Sequence, residues 1–257
     1  MIELRDIHKL YNPGTVNEQC LFENFNLIIK EQEFVSVVGS NGSGKTSMLN
    51  IICGSIPIDS GSIHINETDI TRMTEYRRLR KIGRVYQNPA MGTCPHMTIL
   101  ENMALADNKG KAFNLSWGTE KKRIESYRDN LRNLNLGLED KLHVPVGSLS
   151  GGQRQAMALL MATMTPIEFL ILDEHTAALD PKTAELIMEL TGRIVREKKL
   201  TTIMVTHNLR YAVEYGDRIL MMHQGNVILD KSGADKEAMA IDVILDKFNE
   251  ISIECGN

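Results

Sequence analysis

The sequence predicts an α/β fold: a core with parallel strands, a β-rich segment near the start, and a helical lobe inserted into the core. Three observations carry this. Short apolar, β-branched runs, "FLILD" (Phe169–Asp173) and "TTIMVTH" (Thr201–His207), suit strands buried on both faces of a parallel sheet, and "EFVSVVG" (Glu33–Gly39) reads as a short apolar strand. The opening stretch, from "IELRDIHKLY" to "FNLIIK", alternates apolar and polar residues, as a half-buried strand does. From about Leu79 to Lys141 the chain reads as polar and helical, with "KKRIESYRDNLRNLNL" its clearest amphipathic stretch.

The remaining elements follow in order. "KTSMLNIICG" reads as a helix closed by Gly54, and "GSIHIN" as a strand. "PKTAELIMELTGRIVREKK" has proline at its first position, where a helix tolerates it, and lies between two strand candidates. Strand, helix, strand in that order is an α/β unit. "DRILMMHQGNVILD" reads as a hairpin around Gln224-Gly225-Asn226, and "DKEAMAIDVILDKFNE" as a closing helix. Repeats, low-complexity tracts and linkers are absent, so the chain reads as a single domain.

Composition narrows the function. The chain has 257 residues, 42% of them hydrophobic, enough for a sizeable core. A net charge of −4 and a pI near 6.0, without a basic patch, argue against a nucleic-acid partner. Cys20, Cys53, Cys94 and Cys255 form no CxxC pair and no zinc spacing, and read as reduced thiols of a cytosolic protein. "MIELRDIHKLY" carries charges throughout and does not read as a signal peptide. With no run near the ~18–20 apolar residues of a membrane span, work at a membrane requires another chain as anchor.

Chemistry enters at Gly39-Ser40-Asn41-Gly42-Ser43-Gly44-Lys45-Thr46, which fits G-x-x-x-x-G-K-[ST] between a strand and a helix. Glycines let backbone N–H groups turn toward phosphates, and the helix N-terminus adds its positive dipole end. Lys45 is then expected on the β- and γ-phosphates of a nucleotide, with Thr46 holding Mg²⁺ and Ser47 beside it. In "FLILDE", Asp173 emerges at the end of an apolar strand to reach that metal. Glu174 follows, placed to act on an attacking water.

A second glycine loop, "LSGGQ" (Leu149–Gln153), stands between the phosphate loop and "LILDE". Ser150 can cap the following helix, and Gly151 and Gly152 let backbone N–H groups approach an anion. In this order the motifs resemble those of the ATP-binding cassette (ABC) ATPases, P-loop NTPases of α/β fold, over essentially the whole chain. The resemblance implies an ATPase with ATP and Mg²⁺ as cofactors. It implies a mixed β-sheet core with an antiparallel β subdomain at about 1–88 and 167–257, and an inserted helical subdomain with the signature loop at about 89–166. It further implies a head-to-tail dimer in which Ser150, Gly151, Gly152, Gln153 and Asp180 of one copy serve the ATP held by the other. Gln87 in "RVYQNP" stands where the family reaches Mg²⁺ and the attacking water. His207 stands where it contacts the γ-phosphate, and Tyr11 where an aromatic ring stacks on adenine.

The family usually has proline after the catalytic glutamate; here His175 stands there, either filling a turn position or acting as a metal ligand or second proton donor. Met157, Met161 and Met164 share one helix face and read as core, whereas Met91 and Met97, just after Gln87, read as a partner-docking surface or as core. One cassette without a fused span implies a multichain transporter, with a transmembrane permease, an extracytoplasmic substrate-binding protein and a place on the cytoplasmic face of the membrane. The general look is that of bacterial uptake systems, with amino acids as a candidate cargo. The alternative is a soluble ABC ATPase acting as an assembly scaffold.

Overall fold

The alternation at the start of the chain becomes two long strands, β1 (Ile2–Tyr11) and β2 (Gln19–Ile29), in the computed structural model, which describes residues 1–111 and 118–237. In β2 the period of two is visible as burial: Phe25, Leu27 and Ile29 point inward while Asn26 and Ile28 face out. The strands pair antiparallel, Ile2 opposite Ile29. With β4 (Ser60–Ile65) and β5 (Thr68–Asp69) they form an antiparallel sheet in the order β2-β1-β4-β5.

These strands belong to the first of two compact units, which joins Met1–Leu79 to the chain from Lys199 onward; the second is Arg80–Lys198. In the first unit the run FVSVVG forms β3 (Phe34–Gly39), buried at every residue. It pairs in parallel with β8 (Thr201–Val205) and with β9 (Arg218–His223), and β9 turns back into antiparallel β10 (Asn226–Ser232). Gln224 and Gly225 form the tight turn, both at positive φ, the geometry of a two-residue hairpin. Val38, Ile219, Met221 and Leu229 make a buried cluster with Ala212 of helix α7 (Leu209–Tyr215). Helix α1 (Lys45–Cys53) leaves the end of β3 and closes at Gly54, φ 88°, as expected of a C-terminal glycine. Buried Arg78, at the end of the short helix α2 (Glu75–Arg78), donates to the carbonyls of Ile51 (2.8 Å) and Ile52 (3.1 Å), placing a cation on the negative end of α1. Of the stretch read as a closing helix only the start is described, within α8 (Gly233–Glu237); residues 238–257, Cys255 among them, lie outside the described residues.

The second unit is built on a parallel strand pair, β6 (Ile82–Val85) and β7 (Phe169–Asp173), with Val85 opposite Leu172. Its helices are α3 (Ile99–Asp107), α4 (Ile124–Arg132), α5 (Gly151–Thr163) and α6 (Pro181–Lys198). Strand β6 lies inside the stretch read as helical. At four residues, flanked by Lys81 and carrying Arg84, it is too short and too charged to show a strand period. Met157 is fully buried, whereas Met161 and Met164 are half-buried.

Candidate nucleotide site

Strand β3 ends at Gly39, where φ is 151° and a Cβ would come within 2.2 Å of the Met222 carbonyl oxygen, so only glycine fits. The chain then turns through Ser40–Ser43 into α1, whose N-cap is Gly44 at φ 101°. No side chain caps this helix. Its first turn carries no acidic side chain either, so the positive dipole end of the helix is not offset locally. Lys45 is 5% exposed, and its Nζ donates to the carbonyls of Gly39 (2.7 Å) and Ser40 (2.8 Å). The lysine thus holds its own loop in shape, with its charge held at the loop. Thr46 is exposed, and Ser47 next to it takes a 3.4 Å hydrogen bond from the Tyr11 hydroxyl, which ties the end of β1 to α1. His207 follows β8. The parallel register sets Val37 opposite Val205, so Gly39 and His207, each two residues further on, leave the same edge of the sheet. That is the carboxyl edge of the strands, where open α/β sheets bind ligands.

The second unit repeats this arrangement. With Val85 opposite Leu172, the exposed Gln87 and the half-buried Glu174 both leave the carboxyl edge of the strand pair. Glu174 takes a left-handed backbone, φ 49°, a turn that sends the chain away directly after Asp173. Asp173 is 9% exposed, and its Oδ2 accepts from Arg84 Nη2 at 3.0 Å. His175 is buried at 2% exposure, and its Nε2 lies 3.2 Å from the Thr191 hydroxyl on α6. Burial pushes the His175 imidazole down to about 4, so it is neutral at pH 7. Of the readings of this residue, the turn position packed against α6 is the one its surroundings support.

The signature loop meets α5 in the same unit. Ser150 Oγ accepts from Gln153 N–H and Gln153 Oε1 accepts from Ser150 N–H, each at 3.2 Å, a reciprocal capping box. Gly152 lies against α6: a Cβ there would come within 2.2 Å of Thr183 Cγ2. Asp180 caps α6 itself, accepting from Thr183 N–H at 3.1 Å. Ser150 and Asp180 remain exposed.

Two supporting residues are absent from the motifs. Gln155, 1% exposed, donates to the Tyr86 carbonyl at 3.2 Å and so pins the residue before Gln87 to α5. Asn102, fully buried on α3, donates to the carbonyls of Cys94, Met97 and Thr98, and accepts from Cys94 N–H at 2.7 Å. It fixes the loop after Gln87, on which Met91 is 69% exposed and Met97 half-buried. Neither stands out in the sequence: Gln155 follows Gln153 and Arg154, and Asn102 follows Glu101, so each reads as one more polar residue of its stretch.

Residues 22–177 match the ABC transporter family. The tyrosine transport ATP-binding protein of Clostridioides difficile is 46% identical over 252 residues, covering 96% of this chain and 98% of that protein. The phosphonates import ATP-binding protein PhnC of Lactococcus lactis is 32% identical, covering 90% and 92%. Among solved structures, the ATP-binding cassette MJ0796, a dimer in a post-hydrolysis state bound to ADP and Pi, aligns with a TM-score of 0.77 at 31% identity, covering 90% of this chain and 98% of that one. A strand edge with a lysine-bearing phosphate loop, a second strand edge with an Asp-Glu pair and this extent of likeness lead to one conclusion: the chain belongs to the ABC transporter family, as its ATP-hydrolysing, nucleotide-binding subunit.

Proposed function

We propose that the chain works as a head-to-tail pair that drives a separate membrane permease, with each ATP shared by two copies. The observation that carries this is the contrast at two helix starts: α1 has no side-chain cap, whereas α5 has a complete one beside exposed Ser150. In one copy, Ser40 to Lys45 cradle the phosphates, Thr46 and Ser47 follow them, and Tyr11 stacks on adenine. From the other copy, Ser150 to Gln153 and Asp180 close on the γ-phosphate. Thr46, Gln87 and Asp173 are the residues for Mg²⁺, and they fit it: a hydroxyl, an amide and a carboxylate are the hard oxygen donors this cation takes. When bound, Mg²⁺ supplies charge neutralisation at the phosphates. Glu174 orients and deprotonates the attacking water, and His207 donates to the γ-phosphate.

The exposed Met91 and half-buried Met97, on a loop pinned by Asn102 directly after Gln87, form the surface that receives the permease. The whole works at the cytoplasmic face of the membrane, with an extracytoplasmic binding protein delivering the solute. Amino-acid import is the cargo reading favoured by the 46% identical tyrosine transport relative. Among the described residues no helix is long and apolar enough to cross a membrane, which leaves the crossing to another chain. The mixing experiment tests the shared site. Lys45→Ala and Ser150→Arg chains, each inactive alone, should recover part of the ATPase activity when combined, because one intact composite site then forms. A Ser150→Arg chain that hydrolyses ATP at the wild-type rate by itself would sink the proposal.

A further inference from the structure

Strand β6 reads Ile82-Gly83-Arg84-Val85, and three of its four residues are buried. The arginine in this apolar setting has a side chain only 7% exposed. Burying a guanidinium is costly unless a partner offsets the lost hydration. The register supplies one. Arg84 stands opposite Ile171 on parallel β7, so Asp173, two residues on, lies on the same face. Arg84 Nη2 reaches Asp173 Oδ2 at 3.0 Å, and the Asp173 side chain is itself 13% exposed. Tyr86, two residues along from Arg84, lays its ring 4.6 Å from the guanidinium carbon and fixes it from a further side.

We propose that Arg84 is a built-in counter-ion that opposes the divalent cation at Asp173: it neutralises the carboxylate when no nucleotide is bound and weakens the hold on Mg²⁺ when one is. The inference rests on the reading of Asp173 as a metal-side carboxylate. A carboxylate this sheltered would attract a divalent cation strongly, because solvent screening is weak there. A fixed positive charge 3.0 Å from one of its oxygens cancels much of that attraction and repels a second cation brought to the other oxygen. The pair therefore sets how much of the ATP affinity depends on Mg²⁺. Arg84 touches neither nucleotide nor water in this scheme, and is a positioning residue.

The test measures binding of a fluorescent, non-hydrolysable ATP analogue to the full chain in EDTA and in saturating Mg²⁺. The ratio of the two Kd values is the Mg²⁺-linked gain, from which chelation of Mg²⁺ by the analogue cancels between proteins. Arg84→Met should raise that ratio about tenfold, the scale on which a neighbouring charge alters cation affinity at a carboxylate. Its Kd in EDTA should stay within about twofold of wild type. Arg84→Gln, a polar neutral replacement, should do the same and stands in if the methionine variant does not fold. Arg84→Lys keeps the charge and should leave the ratio near wild type. A ratio that is unchanged or lower in the folded neutral variants overturns the inference. Asp173→Asn separates the two layers: it should lower the ratio, and if it leaves the ratio unchanged the metal reading of Asp173 itself fails.

Discussion

The two glycine loops look alike in sequence and differ in how they meet their helices. At Gly39–Thr46 the lysine is drawn in on the carbonyls of Gly39 and Ser40, while the start of α1 has no capping side chain. At Leu149–Gln153 the helix start is closed by its own Ser150 and Gln153. The first loop holds its shape through a buried cation and leaves a helix end for a ligand. The second is complete without one and offers an exposed, preformed edge. A loop that owns a nucleotide and a loop that visits a neighbour's nucleotide should differ in this way, since only the owner gains from N–H groups kept for phosphate.

The comparison breaks most readily at the chemistry. Glu174→Gln should bind Mg-ATP but turn over at least ~10²-fold more slowly, the lower range for loss of a general base. A single-turnover assay checks it, and wild-type turnover would remove Glu174 from its assigned role. Lys45→Ala should weaken ATP binding by about 10²-fold, the order expected for a charged hydrogen bond to phosphate. Ser150→Arg should leave ATP binding in the isolated chain unchanged while abolishing ATP-driven dimerisation. Fluorescence titration and sizing in ATP read these two effects separately. If Ser150→Arg weakens binding as much as Lys45→Ala does, the loops are not divided between owner and visitor.

Most of the structural contrast between the two loops was legible in the sequence, because phosphate-loop motifs and capping residues are local chemistry. The G-x-x-x-x-G-K-T run needed only a preceding strand, and buried FVSVVG provided it. Ser150 and Gln153 three residues apart announce a capping box by spacing alone. Long-range pairing was harder to see. Strand β6 lay hidden in a polar stretch because four residues give no period. Arg84 and Asp173 are 89 positions apart and meet only through strand register. His175 shows the same limit: in sequence it is a substitution for proline, and only the packing of α6 shows it to be a buried neutral ring. Helix α6 serves both parts of this unit, with Thr183 under Gly152 and Thr191 against His175. Where the phosphate loop relies on its own lysine, the signature loop and the turn after Asp173 share one brace.

That brace has a pH dependence. His175 has a folded value near 4 against an ordinary 6.5. Above about 6.5 the ring is neutral folded and unfolded, and contributes no pH dependence. As the pH falls from 6.5 toward 4, the unfolded chain takes up the proton and the folded chain does not, so stability declines. Roughly two and a half units correspond to about 3 kcal/mol in full, of which about 2 kcal/mol is already lost at pH 5. Urea unfolding at pH 7.5 and pH 5 should show wild type losing more stability than His175→Asn, while ATP-loop variants such as Thr46→Ala lose as much as wild type. Equal losses in wild type and His175→Asn would mean the ring is not held neutral.

The smallest effect sharpens the comparison furthest, because it is read without any nucleotide. If Ser150 and Gln153 already satisfy the start of α5, then Ser150→Ala removes a real cap and should cost about 1 kcal/mol of stability, the usual value for such a loss. Gln153→Ala removes the reciprocal bond and should cost a similar or smaller amount. At the other loop the same class of change should do almost nothing, since no side chain caps α1. Thr46→Ala should stay within about 0.5 kcal/mol of wild type in ligand-free unfolding, as surface changes do. Adding Mg-ATP should then invert the order. Wild type and Ser150→Ala monomers should be stabilised alike, by an amount set by ligand concentration over Kd, whereas Thr46→Ala should gain less because its Mg²⁺-side contact is missing. Denaturant midpoints with and without Mg-ATP, taken at a protein concentration low enough to keep the chains monomeric, measure these costs and gains. If Thr46→Ala costs as much as Ser150→Ala before nucleotide is added, α1 depends on its own side chains after all, and the contrast between an open and a closed helix start is lost.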